Sequence, residues 1–171
     1  MTICRGRRVY FESSYETLPN GVSILIDRVI FPNSVAILPV FRREERIVLI
    51  RQYRPTIKKW ILEAPAGTLR EGEDPIEAAK RELEEEAGLR AVNIEEVGGG
   101  YVSPGYSTEY LKLYIAWDPL EGRISREQHE VIDKVVSLDM REAYRMISRG
   151  EIEDIKTILL IHTAILRLNK Q

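Results

Sequence analysis

Residues 64–89 read APAGTLREGEDPIEAAKRELEEEAGL, a turn of small residues followed by a strongly acidic segment. Eight carboxylates fall within sixteen consecutive residues of this stretch. Asp74 has the character of a helix N-cap, Pro75 suits the first helical position, and Gly88 suits the end of a helix. The stretch therefore predicts a tight turn followed by one acidic helix that ends just before Gly88.

Three acids of this helix are expected to share one face, because Glu82, Glu85 and Glu86 stand at positions i, i+3 and i+4. Like charges at this spacing cost a few tenths of a kcal/mol per pair. A divalent cation would offset that cost, whereas a solvated glutamate-rich helix explains the same spacing equally well. The preceding turn favours the cation, since a backbone carbonyl there can be aimed at it. The apolar stripe expected on the other side is Ile76, Ala79, Leu83 and Ala87.

The rest of the chain alternates strands with two further helices. The second helix is expected from Asp139 to about Ser148, and the third closes the chain with an apolar side. That apolar side is Ile155, Ile158, Leu159, Ile165 and Leu168. Six β-branched or apolar runs predict strands. They are Val22–Val29, Val35–Val40, Ile47–Tyr53, Ile94–Gly98, Leu111–Trp117 and Val131–Ser137. An Asn20-Gly21 turn is expected to join a short N-terminal strand to the first of them. This order predicts an α+β or α/β/α sandwich.

Length and composition narrow the class of protein. A chain of 171 residues with a net charge of −2 fits one globular domain, and it gives no reason to expect nucleic-acid or membrane binding. Cys4 is the only cysteine, so no internal disulfide forms and a reducing, cytoplasmic location is expected. No apolar run reaches the length of a membrane span.

The acidic stretch also resembles a known family motif. Nine fixed positions between Gly67 and Leu89 match the Nudix box, G-x5-E-x7-R-E-U-x-E-E-x-G-U, where U is apolar. The resemblance implies a Nudix-type α/β/α sandwich with mixed sheets and a loop-helix-loop motif. It also implies hydrolysis, dependent on Mg²⁺ or Mn²⁺, of a nucleoside diphosphate linked to another group.

Roles for single residues come from the same resemblance. Glu82 and Glu86 are expected to bind the metal together with the Ala66 carbonyl, and Glu85 is expected to be a further ligand or a supporting partner. Arg81 would pair with Glu73 or with Glu85.

The catalytic base is expected in the acidic segment that precedes a late strand. Glu130 stands directly before that strand, and Glu127 is the alternative. If neither acts as the base, the base is expected among the glutamates of the Nudix box, and Glu85 is the first candidate.

Several segments resemble ADP-ribose pyrophosphatases in particular. Pro104 lies fifteen residues after the box, in YVSPGYSTE, and LIRQYRP and GEIEDIKTILLI also fit that subfamily. The resemblance makes Arg54 the principal substrate arginine, with Arg51 and Arg28 as further candidates. Nucleotide-sugar hydrolases acting on compounds such as GDP-mannose are the alternative, and a non-catalytic nucleotide sensor is a more remote one.

The oligomeric state is predicted from the family resemblance alone. Members of this subfamily resemble dimers that exchange N-terminal strands, so residues 1–33 are expected to form a β extension used in a homodimer. Tyr10 and Phe11 then either pack at this extension or stack on the adenine of a small-molecule substrate. The whole chain, residues 1–171, would otherwise be a single domain.

Overall fold

The computed structural model describes residues 2–125 and 130–169. Within these two ranges, twelve strands and three helices follow one another. The strands are β1 (Thr2–Arg5), β2 (Tyr10–Thr17), β3 (Ser23–Ile30), β4 (Ser34–Phe41), β5 (Arg46–Arg54), β6 (Lys59–Glu63), β7 (Ala66–Thr68), β8 (Leu89–Arg90), β9 (Asn93–Tyr101), β10 (Tyr110–Trp117), β11 (Leu120–Glu121) and β12 (Ile132–Asp139). The helices are α1 (Pro75–Ala87), α2 (Met140–Ser148) and α3 (Ile155–Leu168).

A mixed sheet of seven strands forms the centre of the molecule, with the order β12-β5-β4-β10-β9 and with β6 and β7 attached to β5 and β4. Strands β4 and β10 are parallel, and the other pairs are antiparallel. Both faces are covered: α1 packs on one face, and α2 and α3 pack on the other. Strand β4 is therefore apolar and buried on both faces, as the sequence of a central strand requires. The predicted α/β/α sandwich is confirmed.

Helix α1 begins and ends where the sequence predicts. Asp74 accepts a hydrogen bond from the Ile76 amide (2.8 Å), and Gly88 adopts a left-handed conformation with φ of 68°. The predicted apolar stripe is wrong at Ile76, which is exposed, and Ala78 is buried in its place. The helix ends fix the position of the acids along the chain, but packing decides which side of the helix is covered.

The predicted separation of the acids from the buried side of α1 is also wrong. Glu82 and Glu86 are buried together with Ala79, Leu83 and Ala87. The buried surface of α1 is wider than one apolar stripe, because the helix contacts β7 as well as β4 and β5. Two carboxylates are thus drawn into the protein interior.

Helices α2 and α3 have well-defined N-caps. Asp139 accepts from two amides of the first turn of α2, and Asp154 accepts from the Thr157 amide in α3. The predicted face of α3 is wrong at Ile155 and Leu159, which are exposed, whereas Ile158, Ile165 and Leu168 are partly buried against the core. The fully buried positions of α3 are Thr157, Leu160, Ile161 and Ala164.

A separate three-stranded sheet, β1-β2-β3, precedes the central sheet. The turn at Asn20-Gly21 joins β2 to β3, as predicted, and Gly21 has a positive φ of 83°. Backbone hydrogen bonds between Val29 and both Tyr106 and Thr108 fasten this sheet to the loop between β9 and β10. Within residues 2–125 and 130–169, no helix has the length and apolar character needed to cross a membrane.

Candidate active site

The tight turn before α1 is held against the centre of the sheet. The Ile37 amide donates to the Pro65 carbonyl (2.9 Å), and β7 then pairs with β4, with Ala66 opposite Ala36. A Cβ atom on Gly67 would lie 2.0 Å from a carboxylate oxygen of Glu82. A side chain at this position would displace that carboxylate, which accounts for a glycine at the first fixed position of the motif.

Three carboxylates meet beside this turn. Ligand oxygen atoms of Glu82, Glu86 and Glu130 all lie within 4.8 Å of one another, among the residues that the structure describes. Glu86 also accepts a hydrogen bond from the Ala66 amide (2.9 Å), which joins the cluster to the turn. Glu130 lies in the segment before β12. In that segment, the Val131 carbonyl accepts a hydrogen bond from the Tyr53 amide of β5 (2.9 Å). The structure thus brings three of the predicted acids and Ala66 to one place.

The electrostatics of this cluster disfavour negative charge. Burial, as the largest cause, and the charges of Glu82 and Glu130 together raise the pKa of Glu86 to about 8, although the Ala66 amide and Arg54 act to lower it. Burial likewise raises the pKa of Glu82, although Arg81 opposes the shift. Clustered carboxylates are the donors that hard divalent cations prefer. These residues therefore fit a divalent cation, which would supply the missing positive charge.

Arg81 connects the loop before α1 to the helix. Its Nε and Nη2 atoms donate to the two carboxylate oxygens of Glu73 (2.8 and 3.0 Å), and Nη1 donates to Glu82 (2.6 Å) and Glu85 (3.1 Å). The hydrogen bond from Arg81 lowers the pKa of Glu73 to about 2. Both pairings proposed for Arg81 are therefore present. Glu85 lies beside Arg81 and within 3.6 Å of Arg70, next to the three-acid cluster rather than among its members.

Arg54 stands at the end of β5, on the face of the sheet that α1 covers. Its Nε and Nη2 atoms donate to the two carboxylate oxygens of Glu63 (2.6 and 2.8 Å). The Nη1 atom takes no part in this pairing. The charge of Arg54 also acts on the Glu86 carboxylate, so the guanidinium lies at the edge of the acid cluster. Arg54 is therefore placed to meet a ligand that reaches the cluster.

Glu63 was not identified from the sequence. It is almost fully buried, at 1% exposure, and it also accepts from the Lys156 ammonium (2.5 Å). Lys156 in turn lies 2.9 Å from Asp154, and the neighbouring Thr157 hydroxyl accepts from the Ala64 amide (2.8 Å). The sequence could have indicated Glu63, because it is a charged residue at the end of the apolar strand β6. A carboxylate buried there needs a positively charged partner nearby.

The other predicted substrate residues lie elsewhere. Arg51 is on the opposite face of β5 from Arg54, where it pairs with Asp133. Arg28 belongs to β3 and donates to Glu16 (2.6 Å) across the N-terminal sheet. Pro104 is exposed in the loop between β9 and β10. Glu127 lies outside the described residues.

Gln52 is a further residue that the sequence did not single out. It is buried on the same face of β5 as Arg54, and its side-chain oxygen has no hydrogen-bond partner within the described part of the chain. The sequence RQYR could have indicated Gln52, because the alternation of side chains in a strand places Gln52 and Arg54 on the same face.

The fold and the acid cluster match a known family. The NUDIX domain family matches residues 31–159, which is most of the chain. The chain therefore belongs to the Nudix family. A solved structure described as an ADP compounds hydrolase has the same fold, with a TM-score of 0.87 at 22% identity over 100% of this chain and 92% of that one.

Curated relatives cover most of the chain at higher identity. The methanol dehydrogenase activator of Bacillus methanolicus is 35% identical over 93% of this chain and 86% of its own length. The ADP-ribose pyrophosphatase of Bacillus subtilis is 33% identical over 84% of this chain and 78% of its own length. The GDP-mannose pyrophosphatase of Yersinia enterocolitica is 33% identical over 85% of this chain and 81% of its own length. The resemblance to ADP-ribose pyrophosphatases found in the sequence is thus confirmed as homology.

Proposed function

We propose that the protein hydrolyses the diphosphate bond of ADP-ribose to AMP and ribose 5-phosphate, with Mg²⁺ as the cofactor and Mn²⁺ as a substitute. The observation that carries this proposal is the cluster of the buried Glu82 and Glu86 with the half-buried Glu130 beside the Ala66–Gly67 turn. The homology to a protein named ADP-ribose pyrophosphatase supports the choice of substrate.

The cation would be held by Glu82, Glu86 and the Ala66 carbonyl. When bound there, it supplies positive charge to the phosphate oxygens of the substrate. Glu85 supports this set, because Arg81 ties its carboxylate to that of Glu82. A supporting carboxylate of this kind orients ligands and adjusts their charge.

Glu130 is the proposed general base. A water molecule attacks one phosphorus of the diphosphate, the bridging oxygen leaves with the other phosphate, and the proton of the water passes to Glu130. Its carboxylate oxygen lies within 4.8 Å of those of Glu82 and Glu86, so a water held there is within its reach.

Paired variants test this assignment. Glu130→Gln should bind ADP-ribose and Mg²⁺ nearly normally while turnover falls by about 10²–10⁴. Glu127→Gln, the matched control from the same segment, should stay close to wild type. The reverse pattern would give the role to Glu127, and two near-normal variants would return it to Glu85.

Arg54 is the proposed substrate arginine. Glu63 fixes the guanidinium plane through two hydrogen bonds, so the remaining Nη1 atom is presented in a fixed direction. A planar guanidinium suits phosphate oxygens, and holding it in place lowers the entropy lost on binding. Arg51, Arg28 and Pro104 are secondary candidates for substrate contacts, and their positions make them weaker ones than Arg54.

GDP-mannose is the second candidate substrate, because relatives of 33% and 34% identity carry the name GDP-mannose pyrophosphatase. The decisive experiment incubates the protein with Mg²⁺ and either ADP-ribose or GDP-mannose, and follows AMP or GMP by chromatography. A larger kcat/KM for ADP-ribose supports the proposal, and a larger value for GDP-mannose would replace the substrate. No turnover of either compound, despite binding, would indicate a nucleotide sensor.

We also propose that the protein is a homodimer located in the cytoplasm. The N-terminal sheet exposes apolar side chains that a second copy would cover, among them Phe11, Tyr15 and Leu25. Light scattering of the full chain, compared with a chain lacking residues 1–33, tests this assembly. The exposed Cys4 thiol suits a reducing compartment.

A further inference from the structure

We infer that Thr157, in the first turn of α3, positions the cation site from the opposite face of the sheet. It fixes the direction of the Ala66 carbonyl through the two residues that precede Ala66. Thr157 is then a positioning residue, since it acts through the turn and not on the cation itself. The inference rests on the proposed function for the part of the Ala66 carbonyl as a cation ligand, but the direction of that carbonyl can be tested without a cation.

The direction of the Ala66 carbonyl follows from the pairing of β7 with β4. The Ile37 amide donates to the Pro65 carbonyl (2.9 Å), so these two residues form a hydrogen-bonded pair. Ala66 and Ala36 come next and form a non-hydrogen-bonded pair, in which the amide and carbonyl of each residue point away from the partner strand. The Ala66 amide accordingly donates to the Glu86 carboxylate (2.9 Å). The Ala66 carbonyl, which points to the same side as its amide, therefore lies on the side of the acid cluster.

The segment before Ala66 is stiff. The ring of Pro65 fixes its φ angle, and a residue that precedes a proline, here Ala64, is restricted to extended conformations. These two residues have few ways to change shape independently of each other. A displacement of the Ala64 amide is therefore passed on to Ala66 and is not absorbed between them.

Thr157 holds the Ala64 amide inside the core. Both residues are fully buried, so the amide has no access to water if it loses its partner. The Thr157 hydroxyl accepts from the Ala64 amide (2.8 Å) and itself donates to Asp154, the N-cap of α3. Asp154 also accepts from the Thr157 amide (3.0 Å). Because the hydroxyl proton is engaged by Asp154, the lone pairs of the hydroxyl oxygen remain for Ala64.

The same turn of α3 also holds the preceding residue. The Lys156 ammonium donates to the buried Glu63 carboxylate (2.5 Å) and lies 2.9 Å from Asp154. The first turn of α3 thus fixes the two consecutive residues that lead into Pro65. A buried amide without a partner is unfavourable, so loss of the Thr157 hydroxyl should displace this segment and the carbonyl that follows it.

The alternative is that Thr157 only stabilises the fold. A hydrogen bond in the core contributes to stability whether or not the turn binds a cation. Metal affinity would then be independent of the hydroxyl in any variant that is folded. Variants that separate the hydroxyl from the rest of the side chain distinguish the two roles.

The first experiment measures Mn²⁺ affinity by calorimetry, well below the melting temperature of each protein. Thr157→Val keeps the shape of the side chain but removes the acceptor, so the affinity should fall by about tenfold. Thr157→Ser keeps the acceptor but loses a buried methyl group. Its melting temperature should fall while its Mn²⁺ affinity stays close to that of wild type.

Ile161→Val is the matched control, because it removes a fully buried methyl group from the same helix without contact with the turn. It should lower the melting temperature and leave Mn²⁺ affinity unchanged. Wild-type affinity in Thr157→Val, or an equal loss in Ile161→Val, would overturn the inference. If Thr157→Val does not fold, Thr157→Cys takes its place, because sulfur is a weak acceptor, and the same two outcomes decide.

Turnover gives a second readout. In Thr157→Val, the Mg²⁺ concentration for half-maximal turnover of ADP-ribose should rise by about tenfold, whereas kcat at saturating Mg²⁺ should change little. A lower kcat at saturating Mg²⁺ with an unchanged Mg²⁺ requirement would contradict a role in positioning the cation ligand.

A crystal structure of metal-free Thr157→Val provides the readout that depends neither on activity nor on a cation. A displaced Ala66 carbonyl supports the inference, and an unchanged backbone at residues 64–66 overturns it. Should wild type bind no Mn²⁺, the proposed function is wrong, while this structure still decides whether Thr157 directs the carbonyl.

Discussion

Two glutamates of this protein are equally buried and yet have opposite electrostatic behaviour. Glu63 and Glu86 are each 1% exposed. Burial acts to raise the pKa of Glu63, but hydrogen bonds and charges from Arg54 and Lys156 outweigh it and hold the pKa below its usual value. Burial and the charges of the neighbouring acids together raise the pKa of Glu86 to about 8.

The difference lies in where the compensating charge comes from. A buried carboxylate is costly unless positive charge and hydrogen bonds accompany it. The chain itself supplies two cations to Glu63, which therefore serves to hold Arg54. Around Glu86 the chain gathers Glu82 and Glu130, so a proton or a bound cation would supply the compensation. Burial alone would not have distinguished the two roles.

The largest expected effect is the loss of turnover when the cluster loses charge. Glu82→Gln and Glu86→Gln keep the shape of each side chain but remove a cation ligand, so turnover of ADP-ribose should fall by about 10²–10³ or more at saturating Mg²⁺. Glu77→Gln, on the exposed side of the same helix, is the control and should have normal turnover. Near-normal turnover in both cluster variants would show that the cluster is not a cation site.

The second prediction concerns the pH dependence of stability without metal. The pKa of Glu86 rises from its ordinary value of 4.5 to about 8 on folding, so the folded protein binds an extra proton between these values. Stability contributed by the neutral acid is present below about pH 4.5 and is lost as the pH rises through about 8. The loss should be on the order of a few kcal/mol in urea unfolding with EDTA.

Two further measurements sharpen this prediction. Glu86→Gln cannot ionise, so its metal-free stability should change less between pH 5 and pH 9 than that of wild type. Mg²⁺ should stabilise wild type more at pH 9 than at pH 5, because the ligands must be deprotonated. Equal stabilisation at both pH values would contradict the raised pKa of Glu86.

A third prediction tests the compensated glutamate. Arg54→Ala leaves the buried Glu63 with Lys156 alone, so the free energy of unfolding should fall by about 2 kcal/mol. Combining Arg54→Ala with Glu63→Gln should cost less than the sum of the single changes, since the uncompensated charge is then absent. Arg54→Ala should also raise KM for ADP-ribose more than it lowers kcat. A turnover defect with unchanged KM would separate Arg54 from the substrate.

The smallest effect is expected at Glu85. Its carboxylate shares Arg81 with Glu73 and Glu82, so Glu85→Gln should disturb the cluster indirectly and lower turnover by about tenfold. Calorimetry with Mn²⁺ would measure the accompanying loss of metal affinity. A loss as large as that of Glu86→Gln would make Glu85 a direct ligand.

The sequence was sufficient for the features that depend on local residue chemistry. Helix caps at Asp74 and Gly88, the strand runs and the spacing of the box acids predicted the fold and the family correctly. Features that depend on distant contacts were not accessible. The side of α1 that is covered, and hence the exposure of Ile76, follows from the position of β7. One partner of Glu63, Lys156, comes from α3, about ninety residues later.

The link between α3 and the turn has a consequence for how the protein matures during translation. Residues 64–86 leave the ribosome well before Lys156 and Thr157, whose contacts hold Glu63 and the Ala64 amide. The nascent chain therefore carries every box acid while the segment leading into the turn still lacks its support from α3. Catalytic competence should appear only after the last helix has docked, which keeps an incomplete chain from acting on nucleotides.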